Sequence, residues 1–244
     1  MNYHAWQWFL AVLGSMLVGV AKTGITGLSL LFVSMFAAVM PPKRATGLVL
    51  PLLMVGDLYA YLSYRKHAQW RHIGRLFPWA GSGVVIGYLA LGRMNDRQAG
   101  NAIGGIIMGL ALLYIYRRFR PGGLEGRHGG WFGPFIGVLA GFTTLVANAS
   151  GPLMVIYLLS MRLPKMEYMG TMAVFFMILN FFKLPFMIAL GLVTRESLIF
   201  NLALTPAVLI GAWFGKWLLK RMNQQVFDNI ALGLSLIAGA RMFF

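Results

Sequence analysis

Long apolar blocks separated by short polar stretches follow one another along this 244-residue chain. Most blocks are close to the roughly 20 apolar residues that a helix needs to cross a membrane, but 28–40 and 151–161 are clearly shorter. Each short block follows a break made of small residues. The pattern predicts an all-α polytopic membrane protein with two short, broken or re-entrant helices. The ten predicted segments cover approximately 6–21, 28–40, 46–64, 74–92, 98–116, 132–147, 151–161, 168–190, 198–219 and 226–243.

The second half of the chain repeats the first, with the two short segments at corresponding places. A spacing of 128 residues aligns glycine, proline, arginine and asparagine positions that shared apolar composition does not explain. We therefore expect an N-terminal membrane repeat over 1–120, a cytoplasmic linker over 121–130 and a C-terminal membrane repeat over 131–244. The aligned pairs include Pro78 and Pro206, Gly83 and Gly211, Gly87 and Gly215, Arg93 and Arg221, Asn101 and Asn229, and, with small gaps, Lys43 and Lys165, and Asp57 and Asn180.

The two repeats are predicted to be inverted. Each half has five segments, an odd number, so the second half enters the membrane from the opposite side. Basic residues are about twice as frequent in the loops on the side that holds the central loop, which the positive-inside rule assigns to the cytoplasm. Within the repeats, the spacings Gly83–Gly87 and Gly211–Gly215 are typical of closely packed transmembrane helices.

Composition excludes most other classes of protein. Hydrophobic residues make up 59% of the chain and charged residues only 11%, so there is too little polar surface for a soluble enzyme or a disordered chain. The net charge of +15 comes from short clusters between apolar segments and does not form a nucleic-acid-binding stripe. The sequence has no cysteine and no recognisable catalytic motif. We expect no enzymatic activity, no cofactor and no metal site.

The two helix breaks are the candidate binding site. Where a helix begins inside a membrane, its free N–H groups and its dipole favour a small anion. Glycine at such a point allows the ligand to approach the backbone, although close helix packing alone also explains single glycines. Paired broken helices in inverted repeats are typical of secondary transporters. The candidate substrate-binding residues at the breaks are Thr23, Gly24, Gly27, Asn148, Ser150 and Gly151.

Three ionisable residues lie within or beside apolar segments, where a charge is costly and usually functional. We expect Lys22 and Lys183 to bind the negative charge of the substrate, with Asn180 and Thr144 among the hydrogen-bonding residues. Asp57 is the candidate proton-coupling carboxylate, or a counter-ion for a lysine when no substrate is bound. A buried pair between Asp57 and a lysine that only fixes the helix positions is the alternative.

Two stretches resemble the paired signatures of the sulfite exporter TauE/SafE family. They run from Gly19 to Ser29 (GVAKTGITGLS) and from Gly141 to Pro152 (GFTTLVANASGP), and they lack the glycine triplet that is common in the family. The resemblance implies a multi-spanning inner-membrane permease for sulfite or small organosulfur anions. The lysine at the first break favours an anionic substrate. This substrate can be sulfite, or an anion that is larger or more highly charged than sulfite.

Together these patterns predict a secondary transporter that moves a small sulfur-containing or organic anion, is coupled to protons and works by alternating access. An anion channel is the alternative, and a non-transporting membrane scaffold is a weaker one. The expected partners are the small anionic substrate and membrane lipids, not nucleic acid, and a homodimer is left open. The expected location is the inner membrane, which the chain would cross several times.

Overall fold

Helices are the regular elements of this protein wherever the computed structural model describes it, which is over residues 4–24, 28–95, 97–99, 101–102, 105, 109, 130–161 and 163–221. The all-α prediction is confirmed for these residues. The predicted segments 98–116 and 226–243, the linker and Gly27 lie wholly or largely outside them. The helices are α1 (Ala5–Thr23), α2 (Ser29–Val39), α3 (Pro42–Tyr64), a 3₁₀ turn (Arg65–His67), α4 (Trp70–Arg93), α5 (Phe132–Ala147), α6 (Gly151–Ser160), α7 (Lys165–Ala189) and α8 (Arg195–Arg221).

Four of the described helices are long and apolar enough to cross a membrane: α1, α3 with the turn that follows it, α7 and α8. In contrast, α2 has 11 residues and α6 has 10. At about 1.5 Å per residue, such helices reach only about half of a hydrocarbon core that is roughly 30 Å thick. The prediction that these two segments are too short to cross by themselves is confirmed.

The second break is produced by local backbone chemistry. Helix α5 ends at Ala147 because Asn148 adopts the left-handed conformation (φ 51°, ψ 27°), which asparagine tolerates better than most residues. Helix α6 then starts at Gly151, and Pro152 occupies its first turn, where the missing N–H leaves no hydrogen bond unmade. The first break is similar in outline, since α1 ends at Thr23 and α2 starts at Ser29.

Glycines allow the two largest helix contacts, which are α4 against α5 and α1 against α8. A Cβ atom on Gly83 would overlap the carbonyl oxygen of Val138, and one on Gly211 would overlap that of Met16. Backbones can approach this closely only where the side chain is absent. The predicted role of these glycines in close helix packing is confirmed.

Helices α3 and α7 pack against each other in the middle of the molecule. Gly47 on α3 lies against Leu192, just beyond the end of α7, while Gly170 on α7 lies against Tyr64 at the end of α3. Between these two contacts Asp57 faces Asn180. Asp57 and Asn180, which are aligned between the two halves, are therefore in direct contact.

Candidate functional site

A pocket lies where the two helix breaks approach α3 and α7. Its volume is about 40 Å³, which corresponds to roughly three water molecules at ~10–15 Å³ each. We call it the central pocket. Seven of the sequence-predicted residues line it, together with apolar side chains and Ser29. The seven are Lys22, Asp57, Thr144, Asn148, Ser150, Gly151 and Asn180, and the apolar set is Ala21, Phe32, Leu53, Met172, Ala173 and Phe176.

Lys22 and Asp57 form an ion pair inside this pocket. The lysine Nζ lies 2.6 Å from Oδ1 of Asp57, and the two side chains are 11% and 0% exposed. A contact this short between an ammonium and a carboxylate is strong in a buried site. The same ammonium lies 4.4 Å from the ring centroid of Phe176, within the range of a cation–π interaction. The ammonium of Lys22 thus lies in the pocket, where an entering anion can meet it.

Asn180 orients the other carboxylate oxygen and leaves an acceptor of its own unused. Its Nδ2 donates to Oδ2 of Asp57 at 2.5 Å. Among the described residues, its buried Oδ1 has no hydrogen-bond partner, and neither has the hydroxyl of Ser29 at the start of α2. Buried polar atoms are normally paired, so two unpaired ones in a single pocket indicate a place for a polar ligand.

Lys183 is fully buried but does not line the central pocket. Its Nζ donates to Oδ1 of Asn148 at 2.6 Å and to the carbonyl oxygen of Thr144 at 3.1 Å. These groups end α5, and a cation there offsets the negative end of the helix dipole. The amide of Asn148 also donates to the carbonyl oxygen of Thr46 on α3 at 2.8 Å. In this arrangement Lys183 fixes the second break to its surroundings.

Charge and helix direction both favour an anion at the central pocket. Among the described residues in and next to it are two lysines, Lys22 and Lys183, and one carboxylate, Asp57. Lys22 lines the pocket, so its ammonium can meet an entering anion, whereas Lys183 lies outside the lining and is satisfied by Asn148 and Thr144. The first residues of α2 and α6 also line the pocket, and no side chain caps either helix start. Their N–H groups add partial positive charge.

Two predicted residues of the first break face another helix. The hydroxyl of Thr23 donates to the carbonyl oxygen of Ala212 on α8 at 2.7 Å, and Gly24 packs against Gly215 of the same helix. Lys22 faces the central pocket instead, because side chains of adjacent helical residues point in different directions. The structure thus brings Lys22 together with the second break and directs Thr23 and Gly24 towards α8.

Two further cavities lie along α2 and α3. A small one between these helices shares Asn148 with the central pocket and is also lined by Thr46. A cleft of about 470 Å³ lies between the α2–α3 turn and the α7–α8 turn, with Arg44 and Glu196 among its lining residues. The small cavity and the cleft lie on different faces of the same part of α3, and the central pocket lies further along this helix, at Leu53 and Asp57.

A family model described as "Sulfite exporter TauE/SafE" matches residues 11–242. The chain belongs to the TauE/SafE sulfite exporter family. The match includes both helix breaks and every residue of the central pocket, so the resemblance carried by the two signatures is confirmed. Comparisons with curated proteins and with solved structures give no match. As a TauE/SafE chain with several apolar helices, the protein is a membrane transporter of the permease type.

Sequence reasoning missed some residues of this TauE/SafE pocket. Ser29 lies inside the first signature, and as the first residue of a new helix it lies where an anion would approach, so the signature contains the signal for it. Phe176 is one turn before Asn180 on the same face of α7, so helical spacing could have found it. Thr46 lines the neighbouring small cavity and not the pocket itself; it could not have been found, because its carbonyl oxygen meets Asn148 only through the packing of α3.

Proposed function

We propose that this TauE/SafE protein is a secondary transporter that carries a small sulfur-containing or organic anion, such as sulfite or a sulfonate, across the inner membrane. The observation that carries the proposal is the Lys22–Asp57 ion pair in a pocket formed by two helix breaks. A transported anion needs a cation that binds it and can release it. Lys22 meets that requirement, because its ammonium lines the pocket and its present partner Asp57 can be replaced by the anion.

Exchange of counter-ions couples the anion to a proton in this proposal. An incoming anion takes the place of Asp57 next to the Lys22 ammonium. Asp57 is fully buried and then keeps only the amide of Asn180 as a partner. A proton on its carboxyl group restores charge balance in the pocket. Anion and proton are therefore bound together and released together.

Reciprocal packing of the two halves supports inverted repeats and alternating access. Each half places its first helix against the fourth helix of the other half, as α1 on α8 and α5 on α4. The aligned lysines also make matching contacts, since Lys43 donates to the carbonyl oxygen of Met94 and Lys165 to that of Leu219. We propose that the pairs α1–α8 and α4–α5 move against the central α3–α7 pair and expose the pocket to each side in turn.

The small cavity between α2 and α3 suggests one route to the central pocket, because Asn148 lines both. The hydrogen bond from Asn148 to the carbonyl oxygen of Thr46 joins two residues that line the small cavity. In this proposal, the bond breaks when the anion passes between the two cavities.

A flux assay on the purified protein in proteoliposomes tests the proposal. Initial rates of sulfite, sulfoacetate, taurine and acetate uptake are measured with and without a pH gradient. We expect saturable flux of a sulfur-containing anion that a pH gradient accelerates, and no flux above that of empty liposomes for Lys22→Gln. Lys66→Gln, which changes an exposed lysine in the 3₁₀ turn, is the matched control and should match the unmodified protein.

Two other outcomes would replace the proposal with one of its alternatives. A rate that rises without saturation as the anion concentration increases would indicate a channel, which uses the same electrostatics but needs an open path. Absence of flux, together with no thermal stabilisation by any of the four anions, would indicate a scaffold.

A further inference from the structure

We infer that the transported anion carries a hydrogen-bond donor in addition to its negative charge, and that Oδ1 of Asn180 binds this donor. The inference rests on the proposed function and specifies the substrate class of the same pocket. Its starting point is Oδ1 of Asn180, a buried atom that can only accept, lines the central pocket and has neither a hydrogen bond nor an ion-pair partner among the described residues.

The orientation of the Asn180 amide follows from Asp57. An ionised carboxylate only accepts hydrogen bonds, so the group of Asn180 that meets it at 2.5 Å has to be the donating Nδ2. The ammonium of Lys22, 2.6 Å from the other oxygen, favours the ionised form of Asp57. With Nδ2 held in this way, Oδ1 is directed elsewhere and offers lone pairs to the pocket.

The other polar groups that a ligand can meet in the pocket are donors or can act as donors. The Lys22 ammonium and the N–H groups at the starts of α2 and α6 donate, and the hydroxyl of Ser29 can donate. These groups bind the oxygens of an anion. When the anion takes the place of Asp57 next to Lys22, Oδ2 of Asp57 keeps the amide of Asn180, so the orientation of that amide is retained. An anion that has only acceptors would leave Oδ1 of Asn180 unpaired or would place an oxygen against it.

Two kinds of small anion supply the missing donor. One is a singly protonated oxyanion, such as hydrogensulfite, in which the acidic proton donates. The other is a sulfonate or carboxylate with a hydroxyl or ammonium group on a short chain. Both present an anionic group for Lys22 and a donor for Asn180. A site built to bind a substrate hydroxyl discriminates strongly against the analogue that lacks it, because its own polar group is then left unpaired.

Matched pairs of anions test the inference. The affinity of the purified protein is measured for each member of a pair, and the two affinities are compared. The first pair is ethanesulfonate and 2-hydroxyethanesulfonate, which differ by one hydroxyl group. The second is methanesulfonate and hydrogensulfite, which distinguishes a donor on the anionic group from one on the chain. We expect the donor-bearing member of at least one pair to bind about ten-fold more tightly or better.

Two variants assign the preference to a residue. In Asn180→Leu the side chain has a similar volume and no acceptor. The ratio of the affinities for the two members of a pair should therefore fall to about one, even if both affinities change. Ser29→Ala is the matched control: it should weaken both members of a pair equally and keep their ratio. A preference that survives Asn180→Leu, or that is lost in Ser29→Ala, overturns the assignment to Asn180.

The unmodified protein alone also decides whether the inference holds, even if the Asn180 variant fails to fold. Equal affinity for both members of each pair overturns the inference and leaves the transport proposal intact. If none of the four anions binds and none is transported, the proposed function itself fails.

Discussion

Nζ of Lys183 on α7 lies 2.6 Å from Oδ1 of Asn148, the residue that ends α5. This bond connects two elements 35 residues apart in sequence and holds the second helix break in place. The other intramembrane lysine, Lys22, makes a contact of another kind, since it faces the central pocket and pairs with Asp57. Although the two lysines are similar in the sequence, we expect their substitution to have different effects.

Replacement of Lys22 by glutamine should weaken anion binding and also destabilise the protein. The loss of a charge-assisted contact in a dry site lowers affinity by about 10- to 100-fold. Removal of one partner of a buried ion pair costs about 3–5 kcal/mol, because the other charge is left alone. Anion titration and thermal unfolding in detergent measure the two effects.

A double variant separates the two effects of that change. Lys22→Gln combined with Asp57→Asn leaves no unpaired charge, so stability should return to near that of the unmodified protein while anion affinity stays as low as in Lys22→Gln. Recovery of binding in the double variant would show that Lys22 is not the anion ligand.

Replacement of Lys183 by methionine should mainly reduce stability. It leaves Oδ1 of Asn148 and the carbonyl oxygen of Thr144 without their donor, at a cost of about 1–3 kcal/mol. Substrate affinity should change much less than in the Lys22 variant, since Lys183 does not line the central pocket. Thermal unfolding and anion titration check this.

The control for the Lys183 variant is Lys66→Met, which changes an exposed lysine and should shift stability by less than about 0.5 kcal/mol. A Lys183→Met protein that keeps its stability but no longer binds the anion would contradict this role of Lys183 in holding the end of α5. It would show instead that Lys183 binds the anion.

Replacement of Asp57 by asparagine should uncouple transport from protons. The variant keeps the shape of the side chain but cannot take up and release a proton in the relevant range. We expect accumulation driven by a pH gradient to fall to the level of simple equilibration, while exchange of labelled for unlabelled anion continues. Flux measured in proteoliposomes with and without a gradient checks this.

Glu167→Gln, at the start of α7 and away from the central pocket, is the matched control for the Asp57 variant. It should leave the response to the gradient unchanged. If the Asp57 variant also responds to the gradient like the unmodified protein, Asp57 has no part in coupling.

Replacement of Gly83 by alanine should destabilise the α4–α5 contact by about 1–3 kcal/mol or more, because a Cβ atom there would overlap the backbone of Val138. Gly74→Ala is the control on the same helix: nothing lies within 4 Å of its added Cβ, and alanine is the better helix former. Equal unfolding temperatures for the two variants would contradict the packing argument.

Local features of the chain predicted the elements well. The short segments 28–40 and 151–161 correspond to α2 and α6, and their starts follow from glycine, proline and a left-handed asparagine that act within a few residues. Several long helices extend beyond the apolar blocks. The segment predicted over 198–219, for example, is α8 from Arg195 to Arg221. Hydropathy marks the apolar length, whereas a helix continues into polar residues until its hydrogen bonds end.

The sequence by itself determined that this is a membrane transporter of the TauE/SafE family with paired helix breaks and ionisable residues in apolar surroundings. These properties depend on composition, spacing and small residues, each of which can be read within a short stretch. Only the tertiary structure decided which lysine meets Asp57, that Lys183 holds Asn148 and that Thr23 turns to α8. The partner of a buried side chain is chosen by the packing of helices that are far apart in the chain, and local sequence does not record that packing.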